Sequence, residues 1–189
     1  REPLPIMSFN RFAFSQYRLM GPVYGVGSKE DGTPSEKGAE LVFAPDSTLI
    51  VPVGNRLNSV DPRHNHTTTL PCENRSPIMH VALTPNGAVL LSIDARGNCL
   101  VVSVATGKDV GRFTFRSPVT ALKFSPNSEY LLLGLGRSVE LWSTPQVHHK
   151  QFAPFQKICS YEGAFDDVVT LDWSNDSEFF VAGSRDLTT

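Results

Sequence analysis

A hairpin pattern that recurs four times along the chain constrains its fold more than any other feature of the sequence. Each copy has an apolar strand, a turn built from Pro, Asn, Asp, Gly or Ser, and a second apolar strand. Pro presets φ at the first corner of such a turn, and Asn or Asp bonds to its own backbone. The corresponding turn positions are Pro45, Pro85, Pro126 and Asn175, which follow one another at intervals of 40 to 49 residues. The chain is therefore predicted to repeat one antiparallel unit.

Large apolar side chains occupy alternate positions in the first strand of each copy, so each of these strands is expected to present one apolar face. The pairs are Leu41 and Phe43, Val81 and Leu83, Leu122 and Phe124, and Leu171 and Trp173. A third strand is predicted at 57–60, 100–102 and 139–142, and a more polar fourth strand at 66–70, 110–115 and 155–159.

Four short antiparallel strands at a period of about 40–45 residues form the blade of a WD-type β-propeller. The alternative is a β-sandwich with similar hairpins, which four copies in register disfavour. The predicted fold class is all-β, a partial WD-repeat β-propeller of about four blades with the fourth incomplete. The predicted division is an opening strand and charged loop at 1–38, then blades at 39–77, 78–117, 118–160 and 161–189, with an insert at 144–154. Because the chain starts at Arg1 and stops at Thr189, we expect it to be a piece of a longer protein.

The charge and cysteine content narrow the class of protein. Seventeen Lys and Arg stand against nineteen Asp and Glu, and this balance argues against a dedicated nucleic-acid clamp. No apolar run approaches the roughly 18 residues that a membrane-spanning helix needs. Three widely spaced cysteines, Cys72, Cys99 and Cys159, favour reduced thiols in a reducing compartment.

The hydrogen-bonded residues typical of a WD blade are only partly present. A typical blade has Gly-His before its first strand, Trp-Asp at the end of its third, and a Ser and a turn Asp between them. This chain has Gly163-Ala164 in place of one Gly-His and Gly136-Arg137 in place of one turn Asp. The residues predicted to hold the blades together are Pro45, Pro85, Pro126, Trp142, Trp173, Ser184 and Asp186.

No constellation of catalytic, metal-binding or cofactor-binding residues is predicted, so the chain is not expected to be an enzyme. Gly25-Val26-Gly27 lacks the Gly-Lys-Ser/Thr that completes a phosphate-binding loop. Adjacent His148 and His149 have no third ligand nearby in the sequence and are expected to be solvated.

Two groups of residues are predicted to contact partners. The insert at 144–154 is polar and long for a blade connection, and loops on rigid scaffolds often bind partners. Its candidate contacts are Phe152, Phe155, His148, His149 and Lys150, although the two Phe rings could instead pack on their own blade. A candidate basic strip for RNA phosphate or an acidic partner is Lys108, Arg112, Arg116 and Lys123, which could also be an ordinary solvated rim.

Several segments resemble one family of WD-repeat proteins, the periodic tryptophan proteins of the small-subunit processome. They are 21–24, 52–56 and 119–126, and most specifically Leu141-Trp142-Ser143-Thr144-Pro145 followed by Gln151-Phe152-Ala153-Pro154-Phe155. The similarity runs from about Phe9 to Asp186, in the amino-terminal region of that family. The charged segment 28–37 and the end of the chain within the fourth blade depart from the family pattern.

This resemblance implies a non-enzymatic scaffold of the UTP-B subcomplex in the nucleolus, within the nucleus, where it assembles the pre-ribosome and supports 18S rRNA maturation. The implied partners are other WD-repeat subunits, with precursor rRNA and small nucleolar ribonucleoprotein nearby. In that family an opening strand, here Phe12-Ala13-Phe14, completes the last blade, so a chain lacking that blade is expected to associate through unpaired strand edges. The rival interpretations are a WD adaptor of another complex, such as a ubiquitin-ligase receptor or trafficking coat, and a propeller hydrolase, which the scarcity of His disfavours.

Overall fold

The computed structural model describes residues 26–28, 34–38, 41–64, 66–144 and 155–187. The predicted opening strand at Phe12–Phe14 and most of the insert at 144–154 lie outside these residues. Every regular element of the described chain is a β-strand, and no helix in it is long and apolar enough to cross a membrane.

Three four-stranded antiparallel sheets follow one another along the chain, each with its strands in sequence order. The first sheet contains β3 (Val42–Phe43), β4 (Leu49–Val53), β5 (Arg56–Asp61) and β6 (His66–Glu73). The second contains β7 (Ile78–Leu83), β8 (Val89–Asp94), β9 (Asn98–Ser103) and β10 (Asp109–Thr114). The third contains β11 (Val119–Phe124), β12 (Tyr130–Leu135), β13 (Ser138–Ser143) and β14 (Gln156–Glu162). A two-stranded unit of β15 (Val168–Trp173) and β16 (Phe180–Ser184) follows, and β1 (Val26–Ser28) pairs with β2 (Pro34–Gly38) before the first sheet.

The first strands of successive units lie side by side. Strand β7 contacts β3 on one side and β11 on the other, and β15 contacts β11. Sheets that meet along their first strands fan out about a common axis, as propeller blades do. The all-β, partial-propeller fold predicted from the sequence is therefore confirmed, while the blade limits at 39, 78, 118 and 161 stay a prediction.

The core lies between the sheets, because each sheet has apolar residues on both faces. Leu90 and Leu91 are neighbours on β8 and both are fully buried, but they belong to different clusters. Leu90 packs with Leu57 and Ile78 toward the first sheet, and Leu91 packs with Leu122 toward the third. Side chains that alternate faces along a strand explain this division.

The two ends of the sheets carry different connections. We call the end with the β6–β7, β8–β9, β10–β11, β12–β13 and β14–β15 connections the inter-sheet end. We call the opposite end, which carries the turns at Pro45, Pro85 and Pro126, the proline end. The antiparallel registers fix this division, since the start of β11 pairs with the end of β12 and the start of β13 pairs with the end of β14.

The turns at the proline end share one hydrogen-bond pattern. The Asp46 carboxylate accepts the Thr48 N–H at 3.0 Å, and Asp176 accepts the Glu178 N–H at 3.1 Å. Asn86 and Asn127 accept the N–H two residues later in the same way, each at 3.0 Å. The Thr48 N–H and hydroxyl lower the pKa of Asp46, and the Ser174 hydroxyl together with the Glu178 N–H lowers the pKa of Asp176. The repeated Asn and Asp of the sequence therefore act as local turn acceptors.

Neighbouring turns also contact one another across the sheets. The residue after each Asp or Asn has positive φ, and this residue is Ser47, Gly87, Ser128 or Ser177. The Ser128 hydroxyl accepts the Asn86 N–H at 3.3 Å, and the Ser177 hydroxyl accepts the Asn127 N–H at 3.2 Å. The turns therefore link each unit to the next at the proline end.

Replacing Gly87 by Ala should destabilise the fold more than the same change at Gly54. Both glycines have positive φ, at 71° and 61°, so both variants incur the left-handed backbone penalty. A Cβ at Gly87 would lie 2.8 Å from Cγ of Pro45, whereas a Cβ at Gly54 meets nothing within 4 Å. We expect the free energy of unfolding to fall by about 1 kcal/mol more for Gly87→Ala than for Gly54→Ala, because overpacking adds to the backbone cost. Urea denaturation measures the difference, and equal losses would rule out the Pro45 contact.

The first strands of the units differ in how far their apolar side chains are buried. Val81, Leu122, Phe124 and Leu171 are buried, but Phe43 on β3 is 69% exposed. At the other end of the chain, Phe179 and Val181 are also exposed. In the alternating pairs of the first strands, the apolar side chains are therefore exposed in the first unit and buried or half-buried in the other three.

Candidate interaction surface

An aromatic cluster fills the junction between the second and third sheets. Phe113 of β10 and Phe115, just after it, meet Trp142 of β13 and Phe155, just before β14. The Phe115 ring lies edge-on to Trp142 with centroids 5.8 Å apart, and the Phe113 ring lies 5.4 Å from that of Phe155. Because the cluster joins two sheets, Trp142 holds neighbouring blades together as well as its own.

Of the five candidate contacts of the insert, the structure describes Phe155. Its ring packs against the cluster, where its ring contact is with Phe113 of the preceding sheet, so it lies at the junction between two blades. Phe152, His148, His149 and Lys150 lie outside the described residues. A partner contact at the insert therefore stays a prediction.

The four residues of the candidate basic strip do not lie together. Arg116 is on the β10–β11 connection at the inter-sheet end, whereas Lys108, before β10, and Lys123, near the end of β11, lie toward the proline end. Lys108 is beside the outer strand of its sheet and Lys123 is on the innermost strand. Two of the four charges are already paired: Arg112 with Asp109 at 3.1 Å and Lys123 with Asp172 at 3.5 Å. All of these side chains are exposed, so the interpretation as a solvated rim remains open.

One group of positive charges that the structure brings to the same end of the sheets was not predicted from the sequence. Arg75, Arg116 and Arg137 are exposed and lie on the β6–β7, β10–β11 and β12–β13 connections, all at the inter-sheet end. Each of these arginines lies between two predicted strands. Assigning a direction to each strand would therefore have placed all three at the same end of the sheets.

A buried polar pair was also missed. The Ser92 hydroxyl on β8 donates to the Asn74 side-chain oxygen at 3.0 Å, and the Asn74 amide donates to the Ser92 carbonyl at 3.3 Å. Asn74 lies on the connection before β7, so the pair ties that connection to the second strand of the sheet that it enters. Asp94, also buried, accepts the backbone N–H groups of Arg96 and Asn98, each at 2.9 Å. These bonds tie two connections of the second sheet to its strands.

The fourth unit contains three of the residues predicted to be structural: Trp173, Ser184 and Asp186. Asp186 accepts the Phe165 N–H at 2.7 Å, and the Ser184 hydroxyl donates to the Asp166 carbonyl at 3.0 Å. The Trp173 ring packs against Tyr130 and Phe180, with centroids 6.4 Å and 5.9 Å away. Their structural role stays a prediction that these contacts support.

The titratable residues of the described chain form no reactive centre that we identify. No group of three or more His, Cys, Asp or Glu within the described ranges could hold a metal ion. All three cysteines are free thiols, of which Cys72 and Cys99 are buried. Burial raises the pKa of both buried thiols, which keeps them protonated and poorly nucleophilic.

Comparison with known proteins agrees with this geometry. A model of the family "WD domain, G-beta repeat" matches residues 107–143 and 155–189. The chain is 41% identical over 159 residues to a periodic tryptophan protein 2 homolog of Schizosaccharomyces pombe, covering 83% of this chain and 18% of that protein. It is 40% identical over 184 residues to a Neurospora crassa homolog, covering 94% of this chain and 19% of that protein. Periodic tryptophan protein 2 of Arabidopsis thaliana is 38% identical over 151 residues, covering 80% and 17%.

The chain thus spans about a fifth of the length of the curated relatives that it matches. Within that span, the repeated sheets, the turns at the proline end and the two matched repeats all describe blades of one type. The chain is a WD-repeat chain related to periodic tryptophan protein 2 over most of its own length.

Proposed function

We propose that this chain is part of a WD-repeat protein of ribosome biogenesis that acts as a non-enzymatic scaffold. The observation that carries the proposal is the similarity to periodic tryptophan protein 2 over 80–94% of the chain in three organisms. The described residues support it by what they offer: a packed set of blades, polar loops and exposed charges. Polar loops held on a rigid set of blades are suited to binding other macromolecules.

In its finer form, the proposal places the protein in the UTP-B subcomplex of the small-subunit processome, in the nucleolus. There it contacts other WD-repeat subunits, lies close to precursor rRNA and small nucleolar ribonucleoprotein, and supports 18S rRNA maturation. Direct contact with RNA is the least supported part, because the candidate basic strip is divided between the two ends of the sheets.

Affinity purification of the full-length protein that contains this chain tests the proposal. Mass spectrometry and RNA sequencing of the eluate should recover other WD-repeat subunits together with precursor rRNA. Recovery of ubiquitin-ligase or coat subunits without precursor rRNA would overturn it. The variant Phe152→Ala tests the insert separately, with Phe155→Leu as a control that keeps an apolar side chain in the aromatic cluster. Unchanged co-purification of Phe152→Ala would remove the insert from the contact surface.

We also propose that copies of this chain associate through an open strand edge. In the described part of the chain, β16 pairs with β15 alone, and Val181 on it is exposed. Unpaired edges recruit other strands, and Lys on an edge blocks such pairing. Light scattering should show a mass that rises with concentration for this chain and falls toward the monomer for Val181→Lys, with Phe165→Lys on the β14–β15 connection as a control at an exposed position outside any strand. A monomer at all concentrations would contradict the proposal.

A further inference from the structure

Three arginines on separate connections face solvent at the same end of the sheets. Arg75 precedes β7, Arg116 precedes β11 and Arg137 joins β12 to β13. Antiparallel pairing places all three connections at the inter-sheet end, although the residues are far apart in sequence. Arg96, on the β8–β9 turn, lies at this end too and already makes a contact within the chain.

The acids closest in sequence to these arginines are engaged elsewhere. Glu73 pairs with Arg56 at 3.0 Å, and Glu140 binds Lys157 and the Trp142 ring N–H. Asp109, the acid closest in sequence to Arg116, pairs with Arg112 at 3.1 Å. Among the described residues, Arg75, Arg116 and Arg137 form no ion pair, although Glu162 and Asp167 line the same groove as Arg137.

Two adjoining grooves cross the inter-sheet end of the third sheet. One, of about 450 Å³, is lined by Arg116 and Trp142 among others. The second, of about 640 Å³, is lined by Arg137, Glu162 and Asp167 among others. Both include Ser117, Leu135 and Ser138, so they form one continuous channel with an arginine on each part. Arg75 lines a smaller pocket of about 110 Å³ on the second sheet.

We infer that the inter-sheet end binds an extended acidic segment of a partner protein through Arg75, Arg116 and Arg137. This inference rests on the proposed scaffold function, and it names the kind of partner segment that the surface accepts. Arg binds carboxylates with two parallel hydrogen bonds. Packed sheets lie about 10 Å apart, and an extended chain advances about 3.3 Å per residue, so a segment of about six residues reaches all three arginines.

The charges around the channel favour a peptide over RNA. Glu162 and Asp167 line the same groove as Arg137 and would repel a strand with a phosphate at every unit. A peptide can place its acidic residues at the arginines and its neutral residues beside these carboxylates. Single-stranded nucleic-acid sites also use open aromatic rings for stacking. Trp142 is unsuited to that role, since its ring packs against Phe113 and Phe115.

Fluorescence anisotropy with a fluorescein-labelled octapeptide of alternating Glu and Ser, whose neutral residues can lie beside Glu162 and Asp167, tests the inference on the full 189-residue chain at low ionic strength. We expect the chain to bind this peptide. The triple variant Arg75→Gln/Arg116→Gln/Arg137→Gln should bind it about tenfold more weakly, because it loses three exposed ion pairs to the peptide. The matched control Arg63→Gln/Lys108→Gln/Lys123→Gln removes equal charge toward the proline end and should change the affinity by less than about twofold.

Three results would overturn the inference: no binding of the Glu-Ser peptide, an equal loss in the control variant, or tighter binding of a labelled octauridylate RNA than of the peptide. If the triple variant does not fold, single variants carry the test, each with an expected loss of about twofold. The measurement uses the isolated chain, so its outcome is independent of whether the full-length protein purifies with ribosome-assembly factors.

Discussion

Replacing Phe115 by Ala should lower the free energy of unfolding by about 3–5 kcal/mol, the cost of removing a large aromatic side chain from a core. The side chain is 7% exposed and stands between the second and third sheets, with its ring centroid 5.1 Å from that of Phe113 and 5.8 Å from that of Trp142. Its backbone N–H also donates to the Gly97 carbonyl at 2.9 Å. Collapse of neighbouring residues into the cavity is restricted, because the surrounding rings belong to two separate sheets.

Chemical denaturation followed by tryptophan fluorescence measures this loss. The chain has two tryptophans, so a Trp173→Phe background leaves Trp142 as the reporter at the junction itself. Phe179→Ala is the matched control, since that ring is 67% exposed and its loss should change stability by less than about 0.5 kcal/mol. Phe115→Leu should recover much of the loss, because it refills the cavity. If Phe115→Ala were no more harmful than Phe179→Ala, the junction would not stabilise the fold.

The strands of the second and third sheets could be predicted because their signals are local. Alternating apolar residues such as Val81 and Leu83 identify a half-buried strand, and Pro85 with Asn86 identifies the turn that follows. Four copies in register then point to blades, since a repeated unit needs a neighbour to bury its apolar face. The fold class follows from these two facts.

The candidate basic strip shows that residues close in sequence can lie toward opposite ends of a sheet. Arg116 and Lys123 are near in sequence, but β11 lies between them, and a strand advances about 3.3 Å per residue. The two charges therefore lie toward opposite ends of the third sheet. Arg75 and Arg137 are far apart in sequence yet share an end, because each follows a strand that runs toward it. Charge clusters on a sheet become predictable only after strand direction is assigned.

The packing of Phe155 depends on contacts between sheets that the sequence does not encode locally. Its ring reaches Phe113, which belongs to the preceding sheet. An aromatic residue beside a polar loop is equally typical of an anchor for a partner and of a core side chain, so both alternatives were open. Only the distance between the two rings distinguishes them.

Asn74→Ala should lower the free energy of unfolding by about 2–3 kcal/mol, because it leaves the buried Ser92 hydroxyl without its acceptor and removes a second hydrogen bond to the Ser92 carbonyl. Asn74 is 7% exposed and Ser92 is 0% exposed, so water cannot readily replace the lost bonds. Ser92→Ala should cost less, about 1–2 kcal/mol, since it leaves the Asn74 side-chain oxygen unpaired but keeps the bond from the Asn74 amide to the Ser92 carbonyl. Urea denaturation of both variants measures these losses.

The double variant measures the interaction between Asn74 and Ser92 separately from the contribution of each residue to stability. When both side chains are removed, the unpaired hydroxyl and side-chain oxygen disappear together, so the double variant should be about 1 kcal/mol more stable than the sum of the two losses predicts. A strictly additive result would mean that the two side chains do not interact in the folded chain. Ser117→Ala, an exposed serine on the β10–β11 connection, should leave stability unchanged. A coupled pair would show that an Asn on the connection before a blade can replace the hydrogen bonds that a degenerate WD blade has lost.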